Sequence, residues 1–321
     1  MSPPQTVVIV GASLAGAKAA ETLRTEGFDG RVVLVGEEPE RPYERPPLSK
    51  SYLRGEDERA KLYVHDQGFY EAHDIELRTS SRVTGIDAAA SEVILGTADR
   101  IRYDRLLLTT GAVPRRLGVP GADLPGIRYL RSVEDSDGLR ETIRRAGRVV
   151  VVGAGWIGSE VTASARQMGA DVALIEMASV PLERVLGPEV GAVYRDLHAD
   201  HGVELHLATG VEGFVGGTGV EGVRTADGSI VAGDLVLVGI GVSPRVELAE
   251  EAGLAVDNGI LVDERLQTSA GGIYAAGDVA NAWHPLFGTR VRVEHWANAL
   301  NQGPAAARNM LGLDTPYDRL P

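Results

Sequence analysis

The stretch VVIVGASLAGAKAAETLRTEGFDGRVVLVGE (residues 7–37) returns as VVVVGAGWIGSEVTASARQMGADVALIE (residues 149–176). Each copy is a β-branched run, a glycine turn, a helical pattern and a second apolar run that ends on an acid. A repeat of this size is a whole β-α-β unit. A chain that carries two of them far apart in sequence folds as two α/β units rather than as one doubled sheet. The runs TVVIVG, RVVLVG, RLLLTTG, RVVVVG, DVALIE and DLVLVGIG are apolar nearly throughout, as strands of a parallel sheet covered on both faces must be. Helical patterns separate them. Val190, Val193, Tyr194 and Leu197 recur at i, i+3, i+4 and i+7, behind Pro188 at a suitable first helical position.

In the second copy the turn reads GAGWIG. Gly153 makes the tight turn, Gly155 lets the backbone approach a pyrophosphate, and Gly158 lets helix and strand pack closely. The helix N-terminus offers free amides to the phosphates, and Glu176 can bind both ribose hydroxyls. A carboxylate there repels a 2′-phosphate, which favours NADH over NADPH. The first copy reads Gly11-Ala12-Ser13-Leu14-Ala15-Gly16, with Ser13 in the place of the second glycine. A serine adds one hydroxymethyl group, so a negative φ would keep the backbone approach open, and Glu37 retains the distal acid. From this copy alone, a cofactor site and a purely structural β-α-β unit both stand. VEGFVGG, GVEGVRTADGS and IVAGDLVLVG read as short antiparallel strands with glycine turns. The expected fold class is α/β: two Rossmann-like units, each a parallel sheet with an antiparallel β-meander. RYLRSVEDSDG reads as the connector into the second unit and GVSPRVE as the connector out.

Composition narrows the function classes. The 321 residues are 44% hydrophobic and suit about two globular domains. No run approaches the roughly 18 apolar residues of a membrane span, and MSPPQ lacks the regions of a signal peptide, so the expectation is a soluble cytoplasmic protein. A net charge of −13 opposes non-specific binding to nucleic acid or anionic lipid. The chain has no cysteine, which removes disulfides, thiolate nucleophiles, cysteine-held zinc and a resident iron–sulfur cluster. His198, His201 and His206 straddle a helix end and a strand, and read as a solvated face rather than a metal site.

Other motifs are weak singly. IYAAGDVA ends an apolar strand on Gly277 and Asp278, which alone could be a plain turn. RVEHWANALNQG predicts a helix from about Trp296, whose free amides suit an electron-rich ligand; Pro304 should kink or restart it. RPYERPPLSK in isolation is a proline-rich loop with Lys50 a surface lysine.

Together, VVIVGASLAG, VGEEPERPYERPPLSKSYLRG, LLLTTGAVPRRL, YLRSVEDS, VVGAGWIGSEV, VLVGIGVSP, IYAAGDVA and VRVEHWANALNQGPAAARNMLG run from end to end of the chain. In this order they resemble the FAD- and NADH-dependent ferredoxin reductases of oxygenase and haem-monooxygenase systems, of the putidaredoxin-reductase and biphenyl-dioxygenase-reductase type. The wider relatives are glutathione-reductase-like flavoproteins, including apoptosis-inducing factor.

The resemblance implies an FAD-binding domain of residues 1–113 and 243–321 and an NAD-binding domain of residues 114–242. It implies that Gly11, Ser13, Ala15 and Gly16 face the FAD pyrophosphate and that Glu37 holds its adenosine ribose. Arg45, Lys50, Thr110, Gly111 and Arg131 would contact the same cofactor, and Val83 would meet the adenine through its backbone. Asp278 would bind the ribityl chain, while Glu294, Trp296 and Ala297 would lie at the ring. Gly153, Gly155, Trp156, Ile157, Gly158, Glu160, Glu176, Gly239 and Gly241 would hold NAD. Lys50 and Glu160 would form the catalytic pair. The implied partner is an iron–sulfur ferredoxin, with Arg290 and Arg292 candidates for docking it. An NADH oxidase or diaphorase, or a non-enzymatic NADH-sensing flavoprotein, are the rival readings. The family continues into a third, C-terminal domain; the sequence stops at TPYDRLP, so that domain is expected to be absent.

Overall fold

The structure, a computed structural model, describes residues 4–320. In the first of two units, five apolar runs align in parallel. β1 (Thr6–Val10) pairs with β2 (Arg31–Val35) from Thr6↔Arg31 to Val10↔Val35, and on its other side with Arg105–Leu108. Ile75–Arg78 extends the sheet beyond β2, and Ile273–Ala275 extends it beyond Arg105–Leu108. Consecutive residues Val7, Val8, Ile9 and Val10 are all buried, so both faces of the sheet are covered. The second unit repeats the plan. Arg148–Val152 lies between Asp171–Ile175 and Leu235–Val238, with Glu204–His206 and Ile127–Arg128 at the edges.

Counted from the glycine-turn strand, both sheets run 3-2-1-4, with a fifth strand at the far edge. That order reverses beside the first strand, which leaves a crevice at the carboxyl ends. Each unit adds a three-stranded antiparallel meander: Val83–Asp87, Glu92–Leu95 and Arg100–Arg102 in the first, Val211–Gly216, Val220–Thr225 and Ile230–Ala232 in the second. The first unit comprises residues to Glu44, Tyr63–Val113 and residues from Ser243; the second comprises Arg45–Leu62 and Pro114–Val242.

Residues 45–62 are riveted into the second unit by side chains. Ser136 Oγ donates to Leu48 O at 2.8 Å, Ser164 Oγ to Ser49 O at 2.7 Å, and Tyr52 to Asp137 at 2.8 Å. Arg59 bridges Glu134 and Asp137. RYLRSVEDSDG is more than a connector: it opens the helix Val133–Arg145. A capping box starts this helix, with Ser132 Oγ accepting from Asp135 N and the Asp135 carboxylate accepting from Ser132 N.

The helix predicted behind Pro188 forms within Glu183–Asp200, bent at Gly187. Its apolar stripe faces outward, however: Val190, Val193 and Leu197 are exposed while Gly191 and His198 are buried. His198 therefore does not belong to a solvated face, and burial pushes its pKa down. The helix Trp296–Met310 starts where expected but runs through Pro304 without a restart. Among the described residues no helix is long and apolar enough to cross a membrane.

Helix α1 (Leu14–Thr25) packs against Trp296–Met310 at very short range. A Cβ on Gly303 would lie 2.2 Å from Ala15 O. Alanine ordinarily stabilises a helix interior over glycine by about 0.5–1 kcal/mol. At Gly303 the backbone clash reverses that sign, and we expect Gly303→Ala to cost about 1–3 kcal/mol. Gly138, within Val133–Arg145, has no atom within 4 Å of its ideal Cβ. Gly138→Ala should instead raise the denaturant midpoint, so the two variants should move in opposite directions in one unfolding assay.

Candidate functional site

Each crevice is built from a strand that must turn into a helix within a few residues. In the first unit Gly11 sits at φ +119°, where a Cβ would lie 2.1 Å from Thr109 O. A Cβ on Gly16 would lie 2.1 Å from Gly11 O. These two glycines are therefore demanded by the protein itself. Ser13 caps α1 in extended conformation, φ −121°, so its side chain costs the turn nothing. Ala15 is buried behind it. Thr109 Oγ1 donates to Gly11 O at 2.8 Å and ties the turn to the neighbouring strand.

The second unit reproduces this geometry. Gly153 has φ +95°, and a Cβ there would lie 2.5 Å from Gly239 O; a Cβ on Gly158 would lie 1.8 Å from Gly153 O. Gly155 is different. Its φ is −70° and its ideal Cβ meets no atom within 4 Å. Nothing in the fold requires a glycine at that place, so the open space before the helix Trp156–Gln167 fits a ligand's need for close backbone approach. Trp156 stands half exposed on that first turn, and Gly241, at φ +99°, likewise borders open space. Glu176 closes the second strand, its two oxygens accepting from Ala154 N at 2.6 Å and Ala178 N at 2.8 Å.

Glu37, the counterpart of Glu176, lies in a two-pronged ion pair with Arg245. This pairing holds the guanidinium pKa above its ordinary value. Thr110 Oγ1 donates to Arg245 O at 2.8 Å, and Gly111 O accepts from Arg245 N at 3.0 Å. Arg245 was not among the sequence candidates. Nothing local in GVSPRVE points to a partner so distant in the chain.

Further candidates of the first unit are spread over three elements. Val83 is the buried first residue of its meander. Asp278 sits in the turn Gly277–Val279, where Gly277 N donates to the buried Gln302 Oε1 at 2.8 Å. Trp296 is exposed at the start of its helix, and the Ala297 amide donates to Nδ1 of His295, the capping residue. Glu294 pairs with Arg292 at 2.6 Å. Arg290 donates to Val262 O and Asn281 O, so both arginine head groups considered for docking are engaged within the unit.

Arg45, Lys50 and Arg131 belong to the second unit. Arg45 donates to Arg131 O at 2.6 Å. Lys50 Nζ lies 2.7 Å from Glu160 Oε2, and the same oxygen accepts from Ser49 Oγ at 2.5 Å. Glu160 follows Ile157 and Gly158 on the helix Trp156–Gln167, so this charged pair stands near the N-terminal end of that helix. Ser49 is a further member that sequence reasoning missed. The buried hydroxyl of a residue inside PPLSK carries no separable signal.

The sequence pattern of the pyridine nucleotide-disulphide oxidoreductases matches residues 5–303. Rhodocoxin reductase from Rhodococcus erythropolis is 42% identical over 317 residues, covering 98% of this chain and 74% of that protein. Putidaredoxin reductase from Pseudomonas putida is 40% identical over 318 residues, covering 97% of this chain and 75% of the relative. The crystal structure of a ferredoxin reductase from Rhodopseudomonas palustris superposes with a TM-score of 0.96 at 38% identity, covering 99% of this chain and 78% of the other. The doubled glycine turns, the acid that follows each second strand and this likeness over nearly the whole chain lead to one conclusion: the chain belongs to the FAD- and NAD-dependent ferredoxin reductases of the putidaredoxin-reductase and dioxygenase-reductase type.

Proposed function

We propose that the protein takes a hydride from NADH onto bound FAD and passes the electrons to an iron–sulfur ferredoxin that serves an oxygenase. One observation carries the reading: two dinucleotide turns occur in a chain without a single cysteine. The wider family is named for disulphide chemistry, which needs a cysteine thiolate. These 321 residues hold no such thiol, which supports a direct passage of electrons from the flavin to the acceptor. The cytoplasm, where NADH is produced, is the setting this reading implies.

In this proposal the first unit holds FAD and the second NAD(H). FAD, when bound, accepts two electrons together and releases them singly. The residues bind, orient and tune. Gly11, Ser13, Ala15 and Gly16 admit the pyrophosphate to the N-terminus of α1, with Glu37 on the ribose and Thr110, Gly111, Val83 and Asp278 along the rest of the cofactor. The start of Trp296–Met310 sets its helix dipole against the electron-rich edge of the ring. Gly153, Gly155 and Gly158 admit NADH, while Glu176 binds its ribose hydroxyls and repels a 2′-phosphate. Lys50 supplies a positive charge that stabilises the electrons delivered by the hydride, and Glu160 balances and aims it. Ser49, on the same carboxylate oxygen, fixes the rotamer of Glu160.

Three measurements test this. NADH should reduce cytochrome c through the yellow holoprotein only when a two-iron ferredoxin is added, with NADPH a poor substitute. Equal rates without ferredoxin, with oxygen as the sink, would turn the reading toward an NADH oxidase. Gly155→Val should leave the melting temperature unchanged yet weaken NADH binding more than about tenfold, because its side chain occupies ligand space rather than protein space. A fall in melting temperature would show instead that the fold needs this glycine. Lys50→Ala should slow cofactor reduction by NADH about tenfold in stopped flow, about 1.4 kcal/mol of transition-state stabilisation. An unchanged rate removes Lys50 from the mechanism.

A further inference from the structure

The two acids at equivalent places in the repeat are held in unlike ways. Glu176 is seated by the Ala154 and Ala178 amides. Glu37 is gripped by Arg245, with Nη1 on Oε1 and Nη2 on Oε2, the latter at 3.0 Å. The grip is itself anchored. Arg245 N donates to Gly111 O at 3.0 Å and Arg245 O accepts from Thr110 Oγ1 at 2.8 Å. Thr110 and Gly111 follow Arg105–Leu108, the strand beside β1, at the carboxyl edge of the sheet. The arginine side chain is 28% exposed, so the pair is partly shielded from water.

We propose that Arg245 is a positioning residue for the resident cofactor: it locks the Glu37 carboxylate toward the adenosine ribose of FAD and slows FAD release. The proposal rests on the assignment of Glu37 to that ribose. An ionised carboxylate offers about four lone-pair sites. The fork engages both oxygens and so fixes the plane of the carboxylate as well as its direction. A carboxylate already held in its bound rotamer loses less freedom when the ligand arrives. The guanidinium also offsets a negative charge that would otherwise repel the nearby pyrophosphate. At Glu176, among the described residues, no such fork exists, in keeping with a cofactor that must leave on every turnover.

The test compares two flavins on apoprotein, followed by flavin fluorescence. FMN carries the ring and one phosphate but lacks the adenosine ribose. Arg245→Ala should raise the Kd for FAD about tenfold, the usual scale for a charge-assisted two-pronged contact, and leave the Kd for FMN unchanged. Arg245→Lys, which keeps the charge and loses the fork, should recover part of the loss. Arg245→Ala added to Glu37→Gln should weaken FAD little further, because Arg245 acts through the Glu37 carboxylate. Equal weakening of FMN and FAD would reduce Arg245 to a fold support and overturn the proposal, as would an unchanged Kd for FAD. A wild-type protein that holds FMN as tightly as FAD would instead remove the underlying assignment of Glu37.

Discussion

A strand can hand its direction to a helix within a few residues only where main chain may touch main chain. At Gly158 the place of a Cβ is 1.8 Å from Gly153 O, and Gly16 and Gly11 repeat the contact at 2.1 Å. No side chain fits in either gap. Because each helix starts at the strand's end, its unpaired amides lie at the carboxyl edge of the sheet. The same short turn brings the end of the next strand, with Glu37 or Glu176, to that edge. The reversal of strand order on the other side of the first strand keeps the crevice open.

The middle position of each turn belongs to a different constraint. Ser13 and Gly155 both have negative φ, −121° and −70°. Neither place needs a residue without a side chain for backbone reasons. The irregularity of the first turn is therefore no departure from the scaffold: the two copies share one backbone turn with different residues in its middle place.

Most of the scaffold was legible because period and punctuation carry it: β-branched runs, glycine turns and meander hairpins are local signals. The misreadings have physical causes. The capping box of Ser132 and Asp135 starts a helix inside a stretch that composition alone reads as a connector. The stripe of Val190, Val193 and Leu197 revealed the helix but not its orientation, since period shows that a face is apolar and not what covers it. Gly191 and His198 instead take the covered side of that helix. The places of the turn glycines and of the acids after each second strand were readable from motif order. Arg245 and Ser49 were not, because each meets its glutamate only after distant segments have folded together.

The fifth strand of each sheet comes from opposite directions along the chain. In the second unit Ile127–Arg128 precedes the glycine-turn strand; in the first, Ile273–Ala275 arrives long after it and pairs with Leu106 to Leu108. Apart from residues 45–62, the second unit is thus one uninterrupted stretch, whereas the first closes only when Trp296–Met310 reaches α1 and Gly303 meets Ala15. Loop closure over so many residues is entropically slow, and domains assemble as their segments leave the ribosome. During synthesis the apolar strands Thr6–Val10 and Arg105–Leu108 consequently wait, incompletely covered, while the inserted unit can already assemble. The longest wait for cover therefore falls on strands whose packing partner lies on the far side of the inserted unit.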